Sequence, residues 1–202
     1  MNINALWWVD PAALLISWFR MPNLFKTLTV SVLALWLSTP ALGAPPHLAK
    51  LAPPFVHLEP GKMIGRWYEV ARVPNSTQHG CLGGTSDWVK LANGFSVVQS
   101  CHKGPASTPP TEWKAHAKVL DPATNARFQM SFFGGLVTQE YWVLDHRSDQ
   151  GWLILGTPEG RYMWLMSQRP YLAAAFKAEA VAKIRQLGYD VSKLEFPPPA
   201  AN

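Results

Sequence analysis

Two cysteines, six histidines and a scatter of carboxylates are the residues whose chemistry could go beyond packing. His79 stands two places before Cys81, and His102 directly follows Cys101. That group could form a disulfide, a thiol activated by an imidazole, or a metal site. His79, Cys81, Cys101 and His102 lack the short paired spacings of structural zinc sites, so neither a metal nor another cofactor is expected. Between the cysteines lies Asn93-Gly94, with strand-like runs on both sides, the strongest short signal for a tight hairpin. Cys81 and Cys101 then stand near the open ends of that hairpin, and a disulfide is the expected outcome. Glu69, Asp87, Glu112 and Glu140 fall singly on strands or loops, so their spacing brings no carboxylate pair together for acid–base work. Two alternatives stay open. One is an enzyme working inside the fold through a thiol or an acid. The other is a binder of haem or another cofactor through His57, His79, His102, His116 or His146, although alternation puts His116 on an outer face.

The chain that must position these residues has 202 residues, 48% hydrophobic and 15% charged, enough for one domain with a real core. Ten tryptophans suit either a packed β core or an apolar ligand cavity. The formal charge of +5 is spread without runs of Lys or Arg, which weighs against nucleic acid as a partner and leaves a mild attraction to anionic membrane surfaces. The sequence sets no oligomeric state.

Residues 1–43 read as a targeting segment. Lys26 precedes the apolar run Leu28 to Leu37, and Ala41 and Gly43 place small residues for cleavage after Gly43. Met21 is the more natural start, with residues 1–20 as an over-extension; an uncleaved N-terminal anchor is the competing reading. Position 44 is Ala, and no cysteine precedes Cys81, so a lipid-anchored form is not expected. An exported protein, soluble in the periplasm or secreted, is. Residues 44–55 read as a linker and 197–202, which begin with three prolines, as a disordered tail.

Residues 56–196 read as strands laid beside a first one that starts at Gly65-Arg66-Trp67-Tyr68-Glu69-Val70. In Trp113–Leu120, Ala115, Ala117 and Val119 alternate with Lys114, His116 and Lys118; Phe128, Met130 and Phe132 alternate with Arg127, Gln129 and Ser131. Turn residues at Asp121-Pro122, Gly134-Gly135 and Pro158-Glu159-Gly160 separate further runs at 139–145, 151–155 and 162–166. The count is eight strands with short connections, an antiparallel meander that closes naturally into a barrel. Leu172, Phe176, Ala180, Ile184 and Leu187 then recur at helical spacing. Pro170 is expected at the first helical position, Gly188 as the C-terminal cap, and Glu179 and Lys183 as an outer-face pair.

Six stretches carry a specific resemblance: Gly65 to Arg72, Ala117 to Pro122, Met130 to Gly134, Tyr141 to Asp145, Tyr162 to Ser167 and Gly188 to Leu194. In that order they resemble the lipocalins, in the group of the outer-membrane lipoprotein lipocalin, apolipoprotein D and the plant temperature-induced lipocalins. The resemblance implies an all-β fold: an eight-stranded up-and-down barrel with one C-terminal helix, holding one fatty acid or lysophospholipid for transport or scavenging in cell-envelope lipid maintenance. It also implies that Gly65 and Trp67 close the barrel base under an arginine after the last strand. Here Gln168 stands at that position and Arg169 one place later, so either residue is a candidate cover for Trp67. Alternation nominates Trp88, Ala115, Ala117, Phe128, Met130, Phe132, Trp142, Leu144, Trp164 and Met166 as ligand-lining. Small Ala115 and Ala117 opposite large aromatics favour a cavity over a filled centre, and Arg72, Lys103 or Arg161 could meet an anionic head group at the rim.

Overall fold

The computed structural model describes residues 51–54, 56–104 and 107–198. The expected targeting segment, most of the expected linker and residues 199–202 lie outside the described residues.

Eight strands follow one another: β1 (Gly65–Arg72), β2 (Gly83–Leu91), β3 (Gly94–His102), β4 (Thr111–Val119), β5 (Arg127–Phe132), β6 (Val137–Arg147), β7 (Trp152–Gly156) and β8 (Met163–Ser167). Each pairs antiparallel with its predecessor, and β8 pairs back onto β1, so the sheet closes into a barrel with no free edge. The hairpin read from Asn93-Gly94 is present, with Leu91 opposite Gly94. Gly94 has φ +114°, and a Cβ there would overlap the Ala117 carbonyl oxygen, so only glycine fits. A disulfide joins Cys81 to Cys101 with their Cα atoms 5.5 Å apart, tying the entry of β2 to the end of β3.

One end of the barrel is plugged. A single 3-10 turn, Pro60–Met63, leads into β1, and its Met63 is buried together with Leu58 and Trp67. The Leu58 amide donates to the Thr124 carbonyl in the β4–β5 connection at 2.7 Å, fixing the plug against that end. The β1–β2, β3–β4, β5–β6 and β7–β8 connections surround the other, open end.

A 13-residue helix, α1 (Ala174–Gln186), lies on the outside over β6, β7 and β8. It starts four residues later than Pro170 suggested: Ala173 is extended, and Pro170 belongs to the connection from β8. Its end is as expected. Gly188 has φ +94°, its amide donates to Arg185, and the Tyr189 amide donates to Ile184, the two bonds of a Schellman cap. The expected Glu179–Lys183 pair does not form. Glu179 meets Arg147 at 3.0 Å and Lys183 meets Asp145 at 3.7 Å, so both turn down onto β6, where they bridge helix to barrel.

The apolar residues divide into two layers. One fills the barrel interior, with Trp67, Trp88, Phe95, Phe128, Met130 and Leu153 among its members. The other, including Trp142, Trp152, Ile154, Leu165 and Ile184, lies between the outer barrel wall and α1. This second layer corrects two expected ligand contacts. Trp142 and Leu144 face outward beneath the helix, while their neighbours Tyr141 and Val143 are interior positions of β6. With helix on one side and barrel interior on the other, β6 to β8 are apolar on both faces, which removes the alternation that would tell in from out.

Candidate ligand-binding site

Two β-bulges build the polar parts of the interior. In β1, Glu69 pairs with Met166 and Ala71 with Leu165, leaving Val70 as an extra residue. Strand alternation alone would put Glu69 and Arg72 on opposite faces; the bulge restores them to one. The Arg72 guanidinium, 4% exposed, donates to Glu69, to Glu195 at 2.7 Å and to the Cys81 carbonyl at 3.0 Å. Gln78, from the β1–β2 connection, donates to the second Glu69 oxygen at 2.6 Å and accepts from Asn75 at 2.9 Å and from the Trp164 indole at 2.7 Å. One loop is thereby pinned to β1 and β8 by a single amide. Burial pushes the Glu69 carboxyl above the ordinary carboxylate range, while Arg72 and Gln78 pull it back.

The β6 bulge acts at the closed end. Val143 pairs with Leu155 and Asp145 with Ile154, so Leu144 is extra and His146 comes in opposite Leu153. Its ring meets Trp67 edge-on, 6.4 Å between centroids, while the Trp67 indole donates to the Met63 carbonyl at 3.0 Å. Neither expected cover does this. Gln168 and Arg169 are exposed: Gln168 is held by its amide to the Gly151 carbonyl, and Arg169 by its amide to the Ser167 hydroxyl. The strand ends at Ser167, so the residues after it have already left the barrel base.

A cavity of about 290 Å³ occupies the open half of the barrel. Its lining differs in chemistry around the barrel. On β1, β2, β3 and the β1–β2 connection it presents Glu69, Gln78, Thr85, Gln99 and Ser100; β4 to β8 supply Trp113, Phe132, Tyr141, Leu155, Trp164 and Met166 along with Gln139, and in the closed sheet Met166 pairs with Glu69 and Trp113 with Gln99. Burial pushes the Tyr141 phenol up to about 12, so it faces the cavity as a neutral ring. Phe133, Val137 and Tyr162 edge the mouth, and Tyr162 stacks on Trp164 at 5.8 Å.

Below the cavity the interior is solid. Trp88, Phe95 and Phe128 meet edge-to-face with centroids 5.4–6.0 Å apart, and Ala115 and Ala117 belong to the same packed layer. Of the ten expected ligand contacts, Phe132, Trp164 and Met166 line the cavity; Trp88, Ala115, Ala117, Phe128 and Met130 pack in the interior outside its lining; Trp142 and Leu144 are outside the barrel. The alanines leave no space because Trp88, Phe95 and Phe128 occupy it. Among the described residues, no three His, Cys, Asp or Glu side chains converge on a metal-sized space.

A family model described as a lipocalin-like domain matches residues 58–199. The chain belongs to the lipocalin family. Among its relatives, the outer membrane lipoprotein Blc of Vibrio cholerae is 26% identical over 70% of this chain and 82% of its own, and apolipoprotein D of Mus musculus is 25% identical over 78% and 87%. Insecticyanin from the tobacco hornworm superposes with a TM-score of 0.59 at 17% identity, covering 72% of this lipocalin and 83% of its own chain, which is a likeness of fold. Family membership and a barrel that is hollow at one end make this a protein that binds a small hydrophobic ligand inside the barrel.

The polar wall was not foreseen in the sequence. In the sequence Glu69 stands as an isolated carboxylate and Arg72 as a candidate rim cation; their meeting depends on the Val70 bulge and on Glu195, 123 residues beyond Arg72. For His146, the signal available was one histidine in a run apolar on both faces.

Proposed function

We propose that this lipocalin carries or scavenges one single-chain amphipathic lipid, of the fatty acid or lysophospholipid class, in maintenance of the cell envelope. The observation that carries the reading is the cavity of about 290 Å³, which opens at the mouth of a barrel whose other half is packed solid. That volume is at the low end for small-molecule sites and suits one chain or compact group, not a two-chain lipid. Phe132, Trp164 and Met166 are the ligand contacts of this reading, joined by Trp113, Tyr141 and Leu155. The role in this reading is binding: both cysteines are in the disulfide, and the Glu69 carboxylate is held in place by Arg72 and Gln78 with no second carboxylate beside it among the described residues of the cavity lining.

Export, with a soluble mature protein in the periplasm or outside the cell, is part of the same reading. It is supported by the apolar run and small residues ahead of Ala44, and by a disulfide that needs an oxidising compartment. The test is a fluorescence titration of delipidated protein with a fatty acid and a lysophospholipid, since Trp113 and Trp164 line the cavity. Saturation at one ligand per chain is expected; the absence of any saturable response to single-chain lipids would contradict the proposal.

A further inference from the structure

Among the described residues that line the cavity, Glu69 alone carries a formal charge. Arg72 lies directly behind it, but that guanidinium is buried and committed to Glu69, Glu195 and the Cys81 carbonyl. Glu69, Arg72 and Glu195 together carry one formal negative charge, and of the three only Glu69 lines the cavity. The two Glu69 oxygens accept one bond from Arg72 and one from Gln78, which uses two of the roughly four acceptor positions of a carboxylate. A ligand carboxylate placed here would face Glu69 across a partly desolvated space with no cation to meet it. A ligand ammonium would find the opposite: a carboxylate in a lining that also holds the aromatic rings of Trp113, Tyr141 and Trp164, the combination that holds alkylammonium groups.

We infer that the cavity receives the ammonium-bearing end of a single-chain amphiphile, with Glu69 as counter-ion, and selects against free carboxylic acids. The inference rests on the binding reading above and narrows its ligand class. The rest of the chain has an apolar way out. Phe133 and Val137 line the cavity and, with Leu136, are exposed at 63%, 50% and 88% at the tip between β5 and β6. The cation nearest in sequence to a cavity-lining ring at the mouth is Arg161, exposed and lying over Tyr162 at 5.2 Å; it is the group on which a carboxylate head would have to rely.

The experiment compares ligands of equal chain length on delipidated protein: dodecyltrimethylammonium, dodecylamine and dodecanoate, each below its micelle concentration, followed by tryptophan fluorescence and calorimetry. The formal charge of +5 would by itself favour the anion, so a preference for ammonium must arise locally. The expected result is binding of both ammonium ligands about tenfold tighter than dodecanoate, with the preference lost in Glu69→Gln. Should that variant fail to fold, Gln99→Glu, which adds a second carboxylate to the same wall, is expected to sharpen the preference. Dodecanoate binding as tightly as the ammonium ligands, or tighter, overturns the inference and leaves the lipid-carrier reading standing. So does an ammonium preference that survives in folded Glu69→Gln. Failure of all three ligands to bind overturns both.

Discussion

At the residue scale, His146 is the side chain that most changes how the closed end is understood. Its Nε2 is buried without a hydrogen-bond partner, and its ring lies edge-on to Trp67. Burial pushes the imidazole below its ordinary pKa; Lys62 adds to this, and Asp145, Asp149 and Glu59 oppose it. The folded state therefore takes up this proton less readily than the unfolded state. The stability associated with a neutral His146 is fully present above the usual histidine value of about 6.5 and is lost as pH falls below it. Between pH 8 and pH 5 the wild type is expected to lose more stability, read as a urea midpoint, than His146→Gln; equal losses would mean the ring is not held neutral. Groups common to both proteins, Glu69 included, cancel in that comparison. Gly84 gives a second prediction. A Cβ there would stand 2.8 Å from a Glu69 oxygen and 3.3 Å from the Ser100 carbonyl oxygen. Gly84→Ala should cost about 1–3 kcal/mol in denaturant unfolding, because Glu69 is held on both oxygens and cannot swing aside freely.

At the element scale, the disulfide and α1 each make a separable contribution. Replacing Cys81 and Cys101 together by serine is expected to cost on the order of 3 kcal/mol, as the loop they close is 20 residues in separation. On α1, Ile184 is fully buried against the outer wall, and Ile184→Ala should cost about 2–5 kcal/mol. Glu179→Ala removes a half-exposed pair with Arg147 and a hydrogen bond from Gln150, and should cost under about 1 kcal/mol; a larger loss would show that the polar bridges, not the apolar layer, dock the helix. The elements also mark where the sequence was legible. In β4 and β5, Ala115, Ala117, Phe128 and Met130 read correctly as inward because their neighbours Lys114, Lys118 and Gln129 face water. In β6, Trp142 and Leu144 read wrongly because the helix makes the outer face as apolar as the inner. Bulges were invisible: neither Val70 nor Leu144 differs in type from a residue of regular strand, yet one delivers Arg72 to Glu69 and the other His146 to Trp67.

At the scale of the whole molecule, the strand count, the closure and the hairpin disulfide followed from turn residues and periodicity, since each is a local signal repeated along the chain. The position of the cavity did not follow, because emptiness depends on which side chains from distant strands arrive at one level. Ala115 and Ala117 are small, but Trp88, Phe95 and Phe128 converge on their level; the space is left higher up, where the lining is Thr85, Gln99 and Ser100 with Trp113 and Trp164. A half-filled barrel of this kind couples stability to binding in a simple way: the packed closed half and the helix hold the fold, and the open half can exchange its contents. The claim on which all of this turns is that the open half is occupied in the cell. Native mass spectrometry with solvent extraction, applied to the mature protein from its own host, tests it most directly. One single-chain lipid per barrel, released by organic solvent, is the predicted result; a protein that is empty as isolated and whose tryptophan fluorescence responds to no lipid would contradict the account.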